Sequence, residues 1–194
     1  MGLSFVLDPE VTPDLGARIT TLWTDVSNAG GAVGFLPPVS TERVRPVAEQ
    51  QLRGVADGPD RLLTGYDRES GRLAAVLFFE SQRFELMEHW RLLKRVMVHP
   101  DFQGRGYGAD LLAEAERLAR AWGLAGLRLT LRGGLGLETF YARSGYKEVG
   151  RVPGAIRVAD GDDRDDVTMW LGLHWPGSTR TDPARPVLAR LDPH

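Results

Sequence analysis

Apolar residues fall in two rhythms along this chain, one of three to four residues and one of two, and their order predicts the layout. Leu3 to Leu7 is a short apolar run closed by Asp8-Pro9, which reads as a first strand. Leu15, Ile19, Leu22, Trp23 and Val26 then share one helical face, predicting a helix over about 14–28 with Thr12 or Asp14 as cap and Gly30-Gly31 as stop. The segment 29–38 that follows is both Gly-rich and apolar. It either closes over a ligand or only connects, and both readings stay open. Ser40 or Thr41 caps a second helix reaching about Ala56, with Val44, Val47, Ala48, Leu52 and Val55 on one side and Pro46 in its first turns, where a missing N–H costs little. Strands are predicted over 61–66 and 72–80 around the turn-rich 67–71, and a fourth over about 90–99.

The helical rhythm returns in Leu111, Leu112, Ala115, Leu118, Ala119 and Trp122, with Glu114, Arg117 and Arg120 opposite and Gly123 as stop. Leu127, Leu129 and Leu131 alternate with Arg128 and Thr130, the mark of a half-buried fifth strand. Strand, helix, strand over this span predicts a right-handed crossover with the fourth and fifth strands parallel. A short helix carrying Phe140 and Tyr141 follows, then a last strand pair over about 146–151 and 167–173. The acidic run 160–166 lacks the residues and spacing of an EF-hand and is expected to be a solvated hairpin tip. The expected organisation is therefore one domain over 1–173 and a Pro-rich tail over 174–194, where Val187-Leu188 offers the one short apolar docking element.

Composition narrows the function. A chain of 194 residues can bury a core without staples. Zero cysteines exclude disulfides, thiolate metal sites and a cysteinyl acyl-enzyme, and no metal site is expected. A net charge of -2 argues against nucleic acid, which would call for a basic face. No apolar run approaches the roughly 20 residues of a membrane span, and the start lacks the order of a signal peptide, so a cytoplasmic protein without membrane association is expected. Met1-Gly2 is not a myristoylation signal, because Val6 stands where Ser or Thr is needed.

The chemistry is carried by the stretch from Arg95 to Ala109. Val96 and Val98 are strand residues ended by Pro100, and Gly104, Gly106 and Gly108 then turn the backbone into the amphipathic helix. Unpaired amides and the positive end of the helix dipole make such a corner an anion site. A dinucleotide fingerprint would need an acidic residue on the next strand, which carries Arg128 and Thr130 instead, and a nucleoside-triphosphate loop would need Gly-Lys-Ser/Thr.

Gln103-Gly104-Arg105-Gly106-Tyr107-Gly108 after Val96-Met97-Val98-His99-Pro100 resembles the acetyl-CoA signature of the GNAT N-acetyltransferases, Q/R-x-x-G-x-G/A. Thr139 to Tyr146 resembles the family's second motif, and the order of elements around both is similar from end to end. A weaker likeness, in 34–38 and in Val98-His99-Pro100, is to the tabtoxin-resistance acetyltransferases. The resemblance implies an α/β (α+β) fold with a mixed, mostly antiparallel sheet flanked by helices, its fourth and fifth strands splayed after a bulge near 96–98. It further implies acetyl-CoA as co-substrate, with pantetheine along Val96, Met97 and Val98 and pyrophosphate on the amides of Gln103, Gly104, Arg105, Gly106, Tyr107, Gly108 and Ala109. The backbone N–H of Val98 would polarise the thioester carbonyl and Tyr141 would protonate the leaving thiolate.

A general base is harder to place, since the fourth strand reads Trp90 to Arg95 without a carboxylate; Glu88 and His89 at its start are the nearest candidates and Glu80 the next. The family's frequent Asn after the fifth strand is replaced by Gly133 or Gly134. The implied activity is direct acetylation of a small-molecule primary amine, by analogy an antibiotic or an amino-acid-like toxin. The alternatives are a protein or peptide amine, or a catalytically silent CoA-binding module. A homodimer is left open.

Overall fold

The computed structural model describes residues 2–173, so the predicted tail 174–194 and its Val187-Leu188 lie outside the described residues. The order is β1 (Leu3–Leu7), α1 (Pro13–Asn28), α2 (Thr41–Ala56), β2 (Arg61–Asp67), β3 (Leu73–Ser81), β4 (Trp90–Val98), α3 (Tyr107–Ala121), β5 (Gly126–Arg132), α4 (Leu137–Arg143), β6 (Lys147–Ala159) and β7 (Asp162–Gly172). One seven-stranded sheet forms in the order β1-β2-β3-β4-β5-β7-β6, antiparallel except for the β4–β5 pair. No described helix is long and apolar enough to cross a membrane.

The helices form where capping and pattern agree. Thr12 caps α1, its hydroxyl accepting from the Leu15 N–H at 3.2 Å. The apolar face of α1, including Ile19, Leu22 and Trp23, packs with Val44, Ala48 and Leu52 of α2 against Leu62, Val76, Phe78 and Met97 on one side of the sheet. On the other side, Leu111, Leu112, Ala115, Leu118 and Ala119 of α3 meet Leu77, Phe79, Leu93, Leu127, Leu129 and Leu131. The opposite face of α3 carries the ion pairs Glu114–Arg117 (2.7 Å) and Glu116–Arg120 (2.6 Å), which keep it in water.

Two irregularities in the sheet decide what it can bind. The first is a bulge. Val76 pairs with Met97 but Phe78 pairs with Lys94, so Arg95 and Val96 share the single position opposite Leu77. It is centred one to two residues earlier than expected. Arg95 has φ 53, in the left-handed region that a bulky side chain rarely occupies. The extra residue breaks the alternation of side chains, and two consecutive cations emerge on the α1 face. Lys94 pairs with Glu80 at 2.9 Å, and the Arg95 guanidinium lies 4.5 Å over the Trp23 ring.

The second irregularity is a splay. β4 and β5 pair only at Trp90–Gly126, Arg91–Leu127 and Leu92–Arg128, then run apart, so the opening begins before the bulge and not after it. Its closed end is held by the edge-on pair Trp90–Trp170, with ring centroids 6.0 Å apart. A Cβ on Gly126 would come within 2.1 Å of the Trp170 ring, which is why a residue without one stands there.

The last hairpin departs from expectation. β6 and β7 continue through the predicted loop, and only Asp160-Gly161 turns. The acidic residues are strand residues paired across or along the hairpin: Arg157 with Asp163 at 2.7 Å, Arg151 with Asp165 at 2.8 Å, and Arg164 with Asp162. Opposite charges let the outer part of the hairpin stay in strand with no buried face, a pairing that hydrophobic periodicity does not register.

Candidate active site

The splay is the mouth of a cleft of about 810 Å³. Val96 and Val98 of β4 line one wall, Leu129 and Leu131 of β5 the other; Phe140 and Tyr141 of α4 and the loop 29–33 complete it. Pinning at several points holds that loop. The carbonyl of Val33 accepts from the Trp23 indole N–H at 2.8 Å and from Arg95 Nη1 at 3.1 Å, and the Asn28 side chain brackets the backbone of Val39 with bonds of 3.0 and 2.9 Å. The Gly-rich segment is thus a wall of the cleft, not merely a connection.

At the cleft's end the chain turns through Gly104 (φ 75) and Gly106 (φ 83), both left-handed, into the first turn of α3. A Cβ on either glycine would meet nothing within 4 Å, so open space lies over this turn. Among the described residues no hydrogen bond engages the N–H groups of Gly104 to Gly108, whereas Ala109 N–H donates to the Gly106 carbonyl at 2.9 Å. Five amides are therefore free for an anion, and Ala109 drops out of the expected set because the tight first turn uses its N–H. Arg105 adds a cation at the same corner, its guanidinium 5.1 Å over the Phe102 ring.

The sequence-selected residues separate here by what each atom can reach. His99 N–H donates to Ala74 of β3 at 2.8 Å, so by strand alternation the N–H groups of Val98 and Val96 point away from β3, into the splay. The Val98 carbonyl accepts from Gln103 Nε2 at 3.0 Å, which ties the end of β4 to the turn. Gln103 thus acts through its side chain on the backbone. Met97 is buried under α1, leaving Val96 and Val98 as the strand residues facing the opening.

Tyr107 also differs from a ligand-facing role. Its side chain is buried, stacked on Phe102 with centroids 6.1 Å apart, and its hydroxyl donates to Asp67 at 2.5 Å. That bond and those from Ser70 hold the Asp67 carboxyl down at about 2, and the Tyr107 phenol is raised in turn. Only the backbone of Tyr107 is available to an anion. No sequence signal linked residues 40 positions apart; the pair is visible only in the fold.

Tyr141 lines the cleft, its ring edge-on to Phe140 (5.0 Å) and Tyr146 (5.8 Å). Burial raises its phenol well above the ordinary value, and its hydroxyl bonds to no described residue. It is a protonated donor at neutral pH, free to donate into the cleft.

Glu88 and His89 are corrected as base candidates. Both are exposed at the start of β4, outside the cleft, because the splay opens at the strand's other end. Glu80 is committed to Lys94. No described carboxylate lines the cleft itself; Asp166 lines a smaller adjoining cavity of about 560 Å³, which shares Ala32, Arg95, Thr130 and Leu131 with it. No group of described side chains could hold a metal ion.

Residues 65–148 match the family model described as an acetyltransferase (GNAT) domain. Solved structures agree in fold. A protein provisionally assigned as a phosphinothricin N-acetyltransferase superimposes with a TM-score of 0.70 at 19% identity, covering 88% of this chain and 99% of its own. A GNAT-family acetyltransferase from Streptococcus pneumoniae gives 0.67 at 18%, covering 88% and 100%. A provisionally assigned acetyltransferase from Salmonella typhimurium, solved with acetyl-CoA, gives 0.66 at 18%, covering 94% and 100%.

Proposed function

We propose that this chain, whose residues 65–148 match a GNAT acetyltransferase domain, uses acetyl-CoA and moves its acetyl group directly to a primary amine of a small molecule. The observation that carries this reading is continuity: the free amides of Gly104, Gly106, Tyr107 and Gly108, the inward N–H of Val98 and the unbonded phenol of Tyr141 belong to residues that border one cleft. Acetyl-CoA supplies a thioester and an anionic pyrophosphate when bound. The amides of Gly104 to Gly108 and the Arg105 guanidinium bind the phosphates, where the α3 dipole favours negative charge. Val96 and Val98 offer strand-like pairing to an extended arm. Val98 N–H polarises the carbonyl under attack, a donor fixed in place before reaction. Tyr141 gives its proton to the departing thiolate.

The acceptor must arrive as a free amine, since an ammonium ion has no lone pair and an alkyl amine has a pKa near 10. With Glu88 outside the cleft, this chain's contribution to deprotonation is environmental: the Arg95 guanidinium at the cleft, unlike Lys94 not paired with a carboxylate among the described residues, disfavours a neighbouring ammonium. A sensor module would have no use for a donor phenol beside the thiol, which favours the enzyme reading. The test is a screen of small amines and peptides with the full chain and acetyl-CoA, following free CoA by thiol titration. Saturable release with a small primary amine is expected. Turnover of peptides alone, or none with acetyl-CoA bound, overturns the small-molecule reading.

A further inference from the structure

The adjoining cavity is strongly cationic. Arg43 of α2, Arg95 of β4, Arg132 of β5 and Arg157 of β6 line it, against one carboxylate, Asp166 of β7. Arg157 is neutralised by two hydrogen bonds to Asp163. Arg43, Arg95 and Arg132 have no carboxylate within ion-pair distance among the described residues, so the cavity holds an excess of positive charge.

Arg95 is the centre of this arrangement. It borders both cavities, in the left-handed bulge that turns it toward α1. Trp23 supports the guanidinium from below and the Val33 carbonyl takes Nη1, while Nε is buried with no hydrogen-bond partner. Gly34 packs so closely that a Cβ there would sit 3.0 Å from Nη1. A cation clamped in this way, in a costly backbone conformation and with no carboxylate partner among the described residues, is placed to receive an anion.

Resting on the transferase reading above, we propose that the acceptor is an amine that also carries an oxyanion, a carboxylate or a phosphorus oxyacid, held by Arg95 with Arg43 and Arg132. The planar guanidinium suits either oxyanion by bidentate bonding. The anion then anchors the acceptor in the smaller cavity, and its amine reaches the thioester across the shared boundary of Arg95 and Thr130.

The experiment compares matched amines with the full chain at saturating acetyl-CoA: amino acids against their carboxamides, and aminoalkylphosphonates against their diethyl esters. The anionic member should be preferred by about 10- to 100-fold in kcat/KM, carried mainly by KM, as expected for one or two charge-assisted hydrogen bonds. Arg95→Gln should erase most of that preference and Arg132→Gln part of it, with thermal melting as the check on folding. Should Arg95→Gln not fold, the matched pairs on the parent and Arg132→Gln still decide. Efficient turnover of the neutral members, equal to or above the anionic ones, overturns the anion proposal and leaves acetyl transfer standing. Failure of every amine to release CoA while acetyl-CoA binds by calorimetry overturns both. The carboxylate and phosphonate series separate the two sources of oxyanion.

Discussion

Replacing Tyr141 by Phe removes one oxygen and nothing else, so its consequences can be worked through from the site. The ring is 8% exposed and keeps its edge-on contacts with Phe140 and Tyr146, neither of which involves the hydroxyl. No described residue loses a hydrogen bond, so the stability of Tyr141→Phe should lie within about 1 kcal/mol of the parent. Acetyl-CoA affinity should be similarly unaffected. Loss of a general acid costs about 10²–10⁴-fold in rate, or roughly 3–5 kcal/mol at 1.36 kcal/mol per decade. The deficit belongs in kcat, because the proton is needed only as the carbon–sulfur bond breaks.

The assay is single-turnover acetyl transfer, so that product release does not hide the chemical step. Burial raises the phenol above its ordinary value, so the donor stays protonated through the mildly alkaline range and the parent rate should climb with pH as more amine is deprotonated. Tyr141→Phe should lie below it throughout. If the two rates coincide across that range, Tyr141 is a packing residue and its assignment is wrong.

Four further outcomes are expected. Gly106→Ala forces a side chain into φ 83 at a cost of about 1–2 kcal/mol and puts a methyl in the open space over the amides; calorimetry should show at least a tenfold loss of acetyl-CoA affinity, and undiminished binding in a folded protein would refute the phosphate corner. Initial-rate plots should intersect, since without cysteine a direct transfer is expected; an acetyl-enzyme that passes its group on at a competent rate would overturn this. Asp67 is held at about 2, so its contribution is complete above the ordinary carboxylate value of about 3.9 and fades as pH falls toward 2; the melting difference between the parent and Tyr107→Phe should shrink over that window, and a constant gap would contradict the assignment. Gly126→Ala should destabilise by about 1–3 kcal/mol because the Trp170 ring must move; an unchanged denaturant midpoint would show that the closed end of the splay is loosely packed.

Much of this protein is written in local patterns. Three- to four-residue spacing in α1, α2 and α3, alternation in β5, the Thr12 cap and the glycines before α3 each act over a few residues, and all appear in the structure where periodicity and capping put them. The GNAT-type motifs are local too, since a turn that exposes amides needs only its own glycines. What the sequence could not decide depends on which strands become neighbours. The β4 bulge is a mismatch of register with β3, and it alone brings Lys94 and Arg95 to one face. Glu88 looked near the site because it lies near β4 in sequence, but parallel strands that part at Leu92 place the cleft at the opposite end. The bond from Tyr107 to Asp67 and the gathering of Arg43, Arg95 and Arg132 around one cavity draw on separate elements. Side chains far apart along the chain meet only once the sheet is assembled, and the charge of the smaller cavity was therefore the tertiary structure's to decide.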